Sequence, residues 1–152
     1  MEFRVCKLQP FNSVHQPYYQ ERCIQQRILK AMKKTEFKIP IYDFDVTIIE
    51  VESKEDKAEV NTILSNFIPN KESIDEVLGY IEDGSMNGGD TFRNMLYKKF
   101  IVVLYPFKDV ETRREVINHE KRHIEDRVLE YCGISDIEAS AYLAGYISKF
   151  MY

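Results

Sequence analysis

The sequence predicts an α+β fold, in which a small mixed sheet packs on helices and two consecutive helices end the chain. Three observations predict this fold. Residues 42–53, "YDFDVTIIEVES", alternate apolar and polar side chains as a half-buried strand does. Residues 100–107, "FIVVLYPF", form a continuous apolar run that is typical of a central strand. After residue 109, capping residues and apolar spacing favour two helices.

The length of 152 residues predicts a single domain, with residues 1–40 as a candidate N-terminal elaboration. The opening "MEFRVCKLQP" predicts a short strand that ends at Pro10. Apolar residues at helical spacing predict a helix from Gln16 to Lys34. Pro40 then marks a break before the alternating strand.

Two helices and a loop are predicted in the middle of the chain. The first helix covers residues 54–68, "KEDKAEVNTILSNFI". Ser73, with Glu76 three residues further on, resembles a capping box and predicts a short helix through Tyr80. The glycine-rich segment "DGSMNGG", residues 83–89, predicts a flexible loop.

The last third of the chain predicts two helices with clear ends. Asp109 is a candidate N-cap for a helix from Val110 to Tyr131, and Gly133 stands where a helix C-terminus favours glycine. Asp136 is a candidate N-cap for a second helix over residues 137–150. The short turn between them predicts that the two helices fold against each other.

Composition narrows the classes of function. A net charge of −4 and a pI near 5.5 disfavour nucleic-acid binding, which usually requires a basic patch. The three cysteines, Cys6, Cys23 and Cys132, show no C-x-x-C spacing and favour reduced thiols in the cytoplasm. No signal peptide or membrane span is recognisable in the sequence. We therefore expect a cytoplasmic protein that does not bind membranes.

The segment "INHEKRH", residues 117–123, contains the pattern H-E-x-x-H. On a helix, His119 and His123 lie one turn apart on the same face and present two imidazoles to one point, as two ligands of a tetrahedral zinc require. Glu120 then lies close enough to act on a metal-bound water. Chance alone would produce this pattern in about four of a thousand chains of this composition.

A catalytic zinc usually has three protein ligands, and the sequence contains several candidates for the third. His15, the remaining histidine, stands in a poor local context near Pro17. Asp126 lies too far along a straight helix to share one metal with both histidines. Glu138, in the first turn of the next helix, is the preferred candidate. Its alternative role is that of a surface carboxylate that complements the helix dipole.

The residues "HEKRH" on one helix and "DIEASAYLAGYI" on the next resemble a zincin metallopeptidase of the gluzincin type, and the small size is similar to that of minimal gluzincins associated with phages and mobile elements. The resemblance covers about residues 100–146, roughly a third of the chain. It implies a zincin-like fold, zinc as cofactor and a peptide or protein substrate. It implies His119, His123 and Glu138 as ligands, and Glu120 as general base.

Under this hypothesis further residues become candidates for the site. Tyr142 and Tyr146 are candidate donors to the oxyanion of the tetrahedral intermediate. Asp126 and Asp136 are candidates to orient a ligating imidazole. Zincins bind substrate along a sheet edge upstream of the active-site helix. The candidates for this edge are "TFRNMLY", residues 91–97, and "FIVVLYPF", residues 100–107, although the apolar second segment is better interpreted as a buried core strand.

Two alternatives to a zinc hydrolase stay open from the sequence. In the first, zinc is structural and the pocket is closed by a fourth protein ligand, for which Cys132 is the candidate. In the second, the chain is an interaction module without a metal. Substrate specificity and oligomeric state do not follow from the sequence.

Overall fold

The structure is a computed structural model, and it describes residues 32–152. Those residues, Met32–Tyr152, form one compact unit. The strand predicted over residues 1–10, most of the helix predicted from residue 16, and His15 lie outside the described residues. The last two residues of that predicted helix, Lys33 and Lys34, instead begin a strand.

The centre of the described unit is a four-stranded sheet with the order β1-β2-β4-β3. The strands are β1 (Lys33–Ile39), β2 (Phe44–Glu50), β3 (Gly89–Asn94) and β4 (Lys99–Leu104). β1 pairs with β2 and β3 pairs with β4 antiparallel, whereas β2 and β4 are parallel. The predicted α+β class with a mixed sheet is therefore confirmed, and β3 lies at an edge.

Helices cover both faces of this sheet. A 3-10 turn (Lys54–Asp56), α1 (Lys57–Ser65) and α2 (Lys71–Glu82) precede β3, and α3 (Val110–Cys132) and α4 (Ile137–Met151) follow β4. α1 and α2 pack on one face with Ile49, Ile101 and Val103. α3 and α4 pack on the other face with apolar side chains of β1, β2 and β4. None of the helices in residues 32–152 has the length and apolar content to cross a membrane.

β4 confirms the strand predicted from "FIVVLYPF" over its first five residues, and it ends at Leu104. Phe100, Val102 and Leu104 face α3 and α4, while Ile101 and Val103 face α1 and α2. Because neighbouring side chains of a strand point to opposite faces, a strand covered on both sides must be apolar throughout. The continuous apolar run follows from this position.

The ends of α3 and α4 agree with the predictions to within one residue. α1 is shorter than the predicted helix over residues 54–68, because residues 54–56 form a 3-10 turn and the helix ends at Ser65. Asp109 accepts a hydrogen bond from the Thr112 amide at 2.7 Å, and Asp136 accepts one from the Ala139 amide at 3.0 Å. The prediction that Ser73 caps a helix through Tyr80 is wrong. Asn70 is the N-cap, because its side chain accepts from the amides of residues 72 and 73. α2 therefore begins at Lys71, two residues before Ser73, and continues to Glu82.

α3 and α4 form an antiparallel hairpin, as predicted from the short turn between them. Gly133 adopts the left-handed conformation, with φ of 66°, and ends α3. The register of the hairpin is set by Lys121, whose Nζ donates to Ser148 Oγ at 3.0 Å. At the open end of the hairpin, Tyr152 Oη donates to Asn118 Oδ1.

Glu125 is a carboxylate buried in α3, with 2% of its surface exposed. Its Oε1 has no hydrogen-bond partner among the described residues, and Lys121 Nζ approaches it only to 3.8 Å. Burial raises the pKa of Glu125 above its ordinary value of 4.5; Lys121 and Arg122 oppose that increase, and Asp126 adds to it. The Glu125 carboxylate therefore binds a proton more readily in the folded protein than in the unfolded chain.

We expect Glu125→Gln to raise the free energy of unfolding at pH 7.5 by about 1 kcal/mol. Because the folded-state pKa is raised, the contribution of Glu125 to stability is present below pH 4.5 and is lost as the pH rises through the folded-state pKa. The gain should therefore disappear near pH 4. Urea denaturation at the two pH values measures it, with the exposed Glu115→Gln as control. An equal gain at both pH values would contradict this account.

Candidate functional site

The long helix α3 brings the two histidines of the H-E-x-x-H pattern together. His119 and His123 are both exposed, and their Nε2 atoms lie 3.0 Å apart with the rings perpendicular. Four residues advance a helix by about one turn, which is why both rings stand on one face. The convergence of the two imidazoles follows from helix geometry alone.

This pair fits two ligand positions of a tetrahedral zinc. Two Zn–N bonds of about 2.0–2.1 Å at a tetrahedral angle hold their nitrogens about 3.3 Å apart. The observed 3.0 Å is close to that value. The same distance suits a hydrogen bond from one ring to the other, so the geometry supports metal binding without requiring it. Around this pair, residues 32–152 supply no third histidine, cysteine or carboxylate for a metal.

Glu120 has a different environment from the two histidines. Its side chain is buried, with 4% exposed, and its Oε2 accepts a hydrogen bond from Thr91 Oγ1 at 2.7 Å. Thr91 belongs to the edge strand β3, 29 residues earlier in the chain. This bond fixes the carboxylate against the strand and leaves Oε1 without a partner among the described residues.

Gly89 makes the close approach of α3 to β3 sterically feasible. A Cβ atom at this position would lie 3.1 Å from Glu120 Cγ and 3.2 Å from the carbonyl oxygen of Val103. It would also meet Leu104 Cδ2 at 3.0 Å. Because the Val103 carbonyl belongs to the central strand β4, it has little freedom to move. An alanine at position 89 therefore requires the side chains of Leu104 and Glu120 to shift by a few tenths of an ångström.

We expect Gly89→Ala to lower the free energy of unfolding by about 1–3 kcal/mol, as other overpacked sites do. Gly79→Ala is the matched control, because no atom lies within 4 Å of the added methyl group. Since Gly79 is inside helix α2, that control should be neutral or stabilising by up to about 1 kcal/mol. Chemical denaturation measures the free energy of unfolding of both variants and of the wild type. A Gly89→Ala variant as stable as the wild type would show that β3 and α3 move apart without cost.

A cleft of about 350 Å³ lies between α3 and β3 at the histidine pair. One wall is α3, with His119, Glu120, His123 and Arg127. The other wall consists of residues from β3 and β4: Gly89, Asp90, Thr91, Arg93 and Phe100. The cleft thus combines two imidazoles, an anchored carboxylate and two guanidinium groups along one strand edge.

Glu138, the predicted third ligand, is not brought to this cleft. Because α3 continues nine residues beyond His123, the turn of the hairpin lies well away from the histidines. From the contact between Lys121 and Ser148, Glu138 lies about 12 Å beyond His123 along the hairpin axis. Glu138 is exposed in the first turn of α4, where a carboxylate complements the helix dipole.

The two tyrosines predicted to stabilise an oxyanion also lie elsewhere. Tyr146 donates from its hydroxyl to the carbonyl of Lys38 in β1 at 2.9 Å. Tyr142 is 49% exposed and stacks on Tyr146, with ring centroids 6.4 Å apart. Neither residue lines the cleft, since the hydroxyl of Tyr146 contacts β1, at the edge of the sheet opposite β3.

The remaining predicted site residues have other partners. Asp126 forms an ion pair with Arg122 Nε at 3.0 Å, and Asp136 caps α4. Cys132 is an exposed free thiol at the last residue of α3, about 13 Å along the helix from His123. None of the three lines the cleft, and a closed structural zinc site that includes Cys132 therefore gains no support from the geometry.

Three residues of the cleft were not named from the sequence as site residues: Gly89, Asp90 and Arg127. Thr91, Arg93 and Phe100 were expected only as parts of candidate substrate-binding segments. β3 has the sequence "GDTFRN", whose glycine, aspartate and asparagine are poor strand formers. The signal that would have found Arg127 is helical spacing, because it stands four residues after His123 on the same face.

We compared the chain with protein-family models, with curated proteins and with solved structures, and none of the three comparisons found a match.

Proposed function

We propose that this protein is a zinc-dependent hydrolase, and specifically a small metallopeptidase of the zincin type that resembles gluzincins. The observation that supports this most is the combination on α3 of two convergent imidazoles with a buried, anchored carboxylate between them in sequence. A merely solvated helix face would not bury Glu120 while leaving His119 and His123 exposed. The arrangement is that of two ligands beside a base.

His119 and His123 would hold the metal through their Nε2 atoms. When bound, zinc would polarise the carbonyl group of the substrate and lower the pKa of a water molecule. Open ligand positions are a feature of catalytic rather than structural zinc sites. The exposure of both imidazoles therefore favours the catalytic role over the structural one.

Glu120 would act as the general base. The hydrogen bond from Thr91 occupies Oε2, so that Oε1 is the atom that accepts a proton from the attacking water and returns it to the leaving amine. Because the carboxylate is already held by Thr91 before the substrate binds, the Glu120 side chain loses little further conformational freedom during the reaction. Thr91 is thus a positioning residue.

Strand β3 would bind the substrate. It lies at the end of the sheet, and its outer edge pairs with no other described strand. A peptide added to such an edge gains main-chain hydrogen bonds that do not depend on its sequence. Thr91, in the middle of β3, would bring the bound backbone next to Glu120. Of the two segments proposed for this role, residues 91–97 fit better than the central strand β4.

The proposal is tested on the purified chain. We expect about one zinc per chain by inductively coupled plasma mass spectrometry, as one site of this kind holds one metal. We also expect hydrolysis of a pool of quenched fluorescent peptides, which a chelator should stop and added zinc should restore. Absence of bound zinc after reconstitution would overturn the proposal and favour an interaction module. Bound zinc whose removal unfolds the chain, without any hydrolysis, would favour a structural metal.

A further inference from the structure

Two arginines, Arg93 and Arg127, line the cleft beside the histidine pair, one on each wall. Arg93 is in β3, two residues after Thr91, and side chains two residues apart on a strand share a face. It therefore stands on the same side of the sheet as the hydroxyl that holds Glu120, about 6.7 Å further along the strand. Arg127 lies one turn of α3 beyond His123.

The charge of Arg93 is not neutralised within residues 32–152. Arg93 is exposed and forms no ion pair or hydrogen bond with another described side chain. Arg127 shares its charge with Glu130, from which its guanidinium lies 2.5 Å away. Most of the other arginines of the described chain, at positions 113, 122 and 127, have acidic partners.

Neither acidic side chain of the cleft pairs with Arg93. Glu120 keeps its negative charge but accepts its hydrogen bond from the Thr91 hydroxyl. Asp90 points to the opposite face of the sheet, where it accepts a hydrogen bond from the Tyr105 hydroxyl at 2.6 Å. Beside the candidate zinc site, the guanidinium of Arg93 is thus left without an acidic partner among the described residues. Guanidinium groups bind carboxylates in a planar, two-point geometry that neutral side chains cannot match.

We propose that Arg93, assisted by Arg127, binds a carboxylate of the substrate one to three residues from the bond that is cleaved. This inference rests on the proposed function and deepens it, because it makes the protein a peptidase that recognises a carboxylate of its substrate. A peptide that pairs with β3 carries its side chains in the same two-residue period as the strand. A substrate side chain near Arg93 therefore lies about two residues from the one near Thr91.

A carboxylate can come from an aspartate or glutamate side chain or from the C-terminus of the peptide. Both sources have the same chemistry, and the peptides used in the test separate them. One series carries Glu, Gln or Lys at each of three positions on either side of a fixed central pair. A second series has no acidic side chain and ends in either a free carboxylate or an amide.

Binding is measured by fluorescence anisotropy with the zinc-loaded Glu120→Gln variant, which holds peptide without cleaving it. We expect at least one Glu position, or the free C-terminus, to tighten binding about tenfold or more over its neutral counterpart, as charge-assisted pairs do. Arg93→Gln in the same background should remove that preference, and Arg127→Gln should reduce it. Arg114→Gln is the control, because Arg114 is exposed on α3 and does not line the cleft.

Equal binding of acidic and neutral peptides would overturn the inference, as would a preference that survives in Arg93→Gln. Hydrolysis by the wild-type chain is measured in parallel, with kcat and KM determined separately. Cleavage without a preference for a carboxylate would support the proposed function and contradict the inference about Arg93. An Arg93-dependent preference in binding without any cleavage would support carboxylate recognition and remove the peptidase function.

Discussion

Glu120→Gln is expected to abolish hydrolysis while the chain keeps its zinc. In the proposed site the base and the metal ligands are separate residues, so hydrolysis and zinc binding should separate on mutation. A positioned general base contributes about 10²- to 10⁴-fold to a rate, and kcat should fall by that factor. Gln preserves the size of the side chain and can still accept the hydrogen bond from Thr91, which has 2.7 Å between its oxygens in the wild type. The fold should therefore be unchanged.

The measurement compares kcat and zinc content for Glu120→Gln and for Glu115→Gln. Glu115 is an exposed glutamate on the same helix, outside the cleft, and its variant should retain full activity. A loss of zinc in Glu120→Gln would identify Glu120 as a ligand instead. Retained activity would mean that a different group takes the proton.

His119→Ala and His123→Ala are each expected to release the zinc and to reduce hydrolysis to background. Each imidazole supplies one of the two nitrogens that converge at 3.0 Å, and a single remaining histidine does not hold zinc against buffer. Both side chains are exposed, so the free energy of unfolding of the metal-free protein should change by no more than about 0.5 kcal/mol. Metal content after dialysis and urea denaturation measure the two effects.

Glu138→Ala is the informative companion to these variants. The resemblance to gluzincins implies that Glu138 is a ligand, whereas the antiparallel hairpin puts it near the far end of α3. From the structure we expect Glu138→Ala to keep the zinc and the activity. Loss of zinc in this variant, with the histidine variants behaving as expected, would show that α3 ends earlier when the metal is bound.

Much of the fold was predictable because its signals are local. The caps Asp109 and Asp136 and the stop at Gly133 depend on residues within one turn of each helix end. The two edge strands were harder to predict. β1 has the sequence "KKTEFKI", with charged residues at most positions, and β3 contains glycine and asparagine. Such strands are stabilised by pairing with a central strand, which a sequence pattern does not contain.

In the candidate site, too, the features with local signals were predictable and those that depend on distant contacts were not. His119, Glu120 and His123 were predictable because four-residue spacing on a helix fixes their mutual geometry. The hydrogen bond from Thr91 to Glu120 joins residues 29 positions apart, and it depends on which strand lies at the edge of the sheet. Glu138 as a ligand requires that the helix hairpin bring the first turn of α4 to the two histidines. The length of α3 after His123 works against that arrangement.

The position of β4 in the sheet has a consequence for the order in which the chain can fold during synthesis. Among the described strands, β4 alone connects the β1–β2 hairpin to β3. A nascent chain that has emerged only to residue 98 therefore holds two separate pieces of sheet, and β3 waits unpaired until the next six residues follow. The helix with the histidines, α3, follows β4 in the chain, so the cleft forms only after all four described strands have emerged. A metal at the proposed site would accordingly meet a sheet whose strands are already available for pairing.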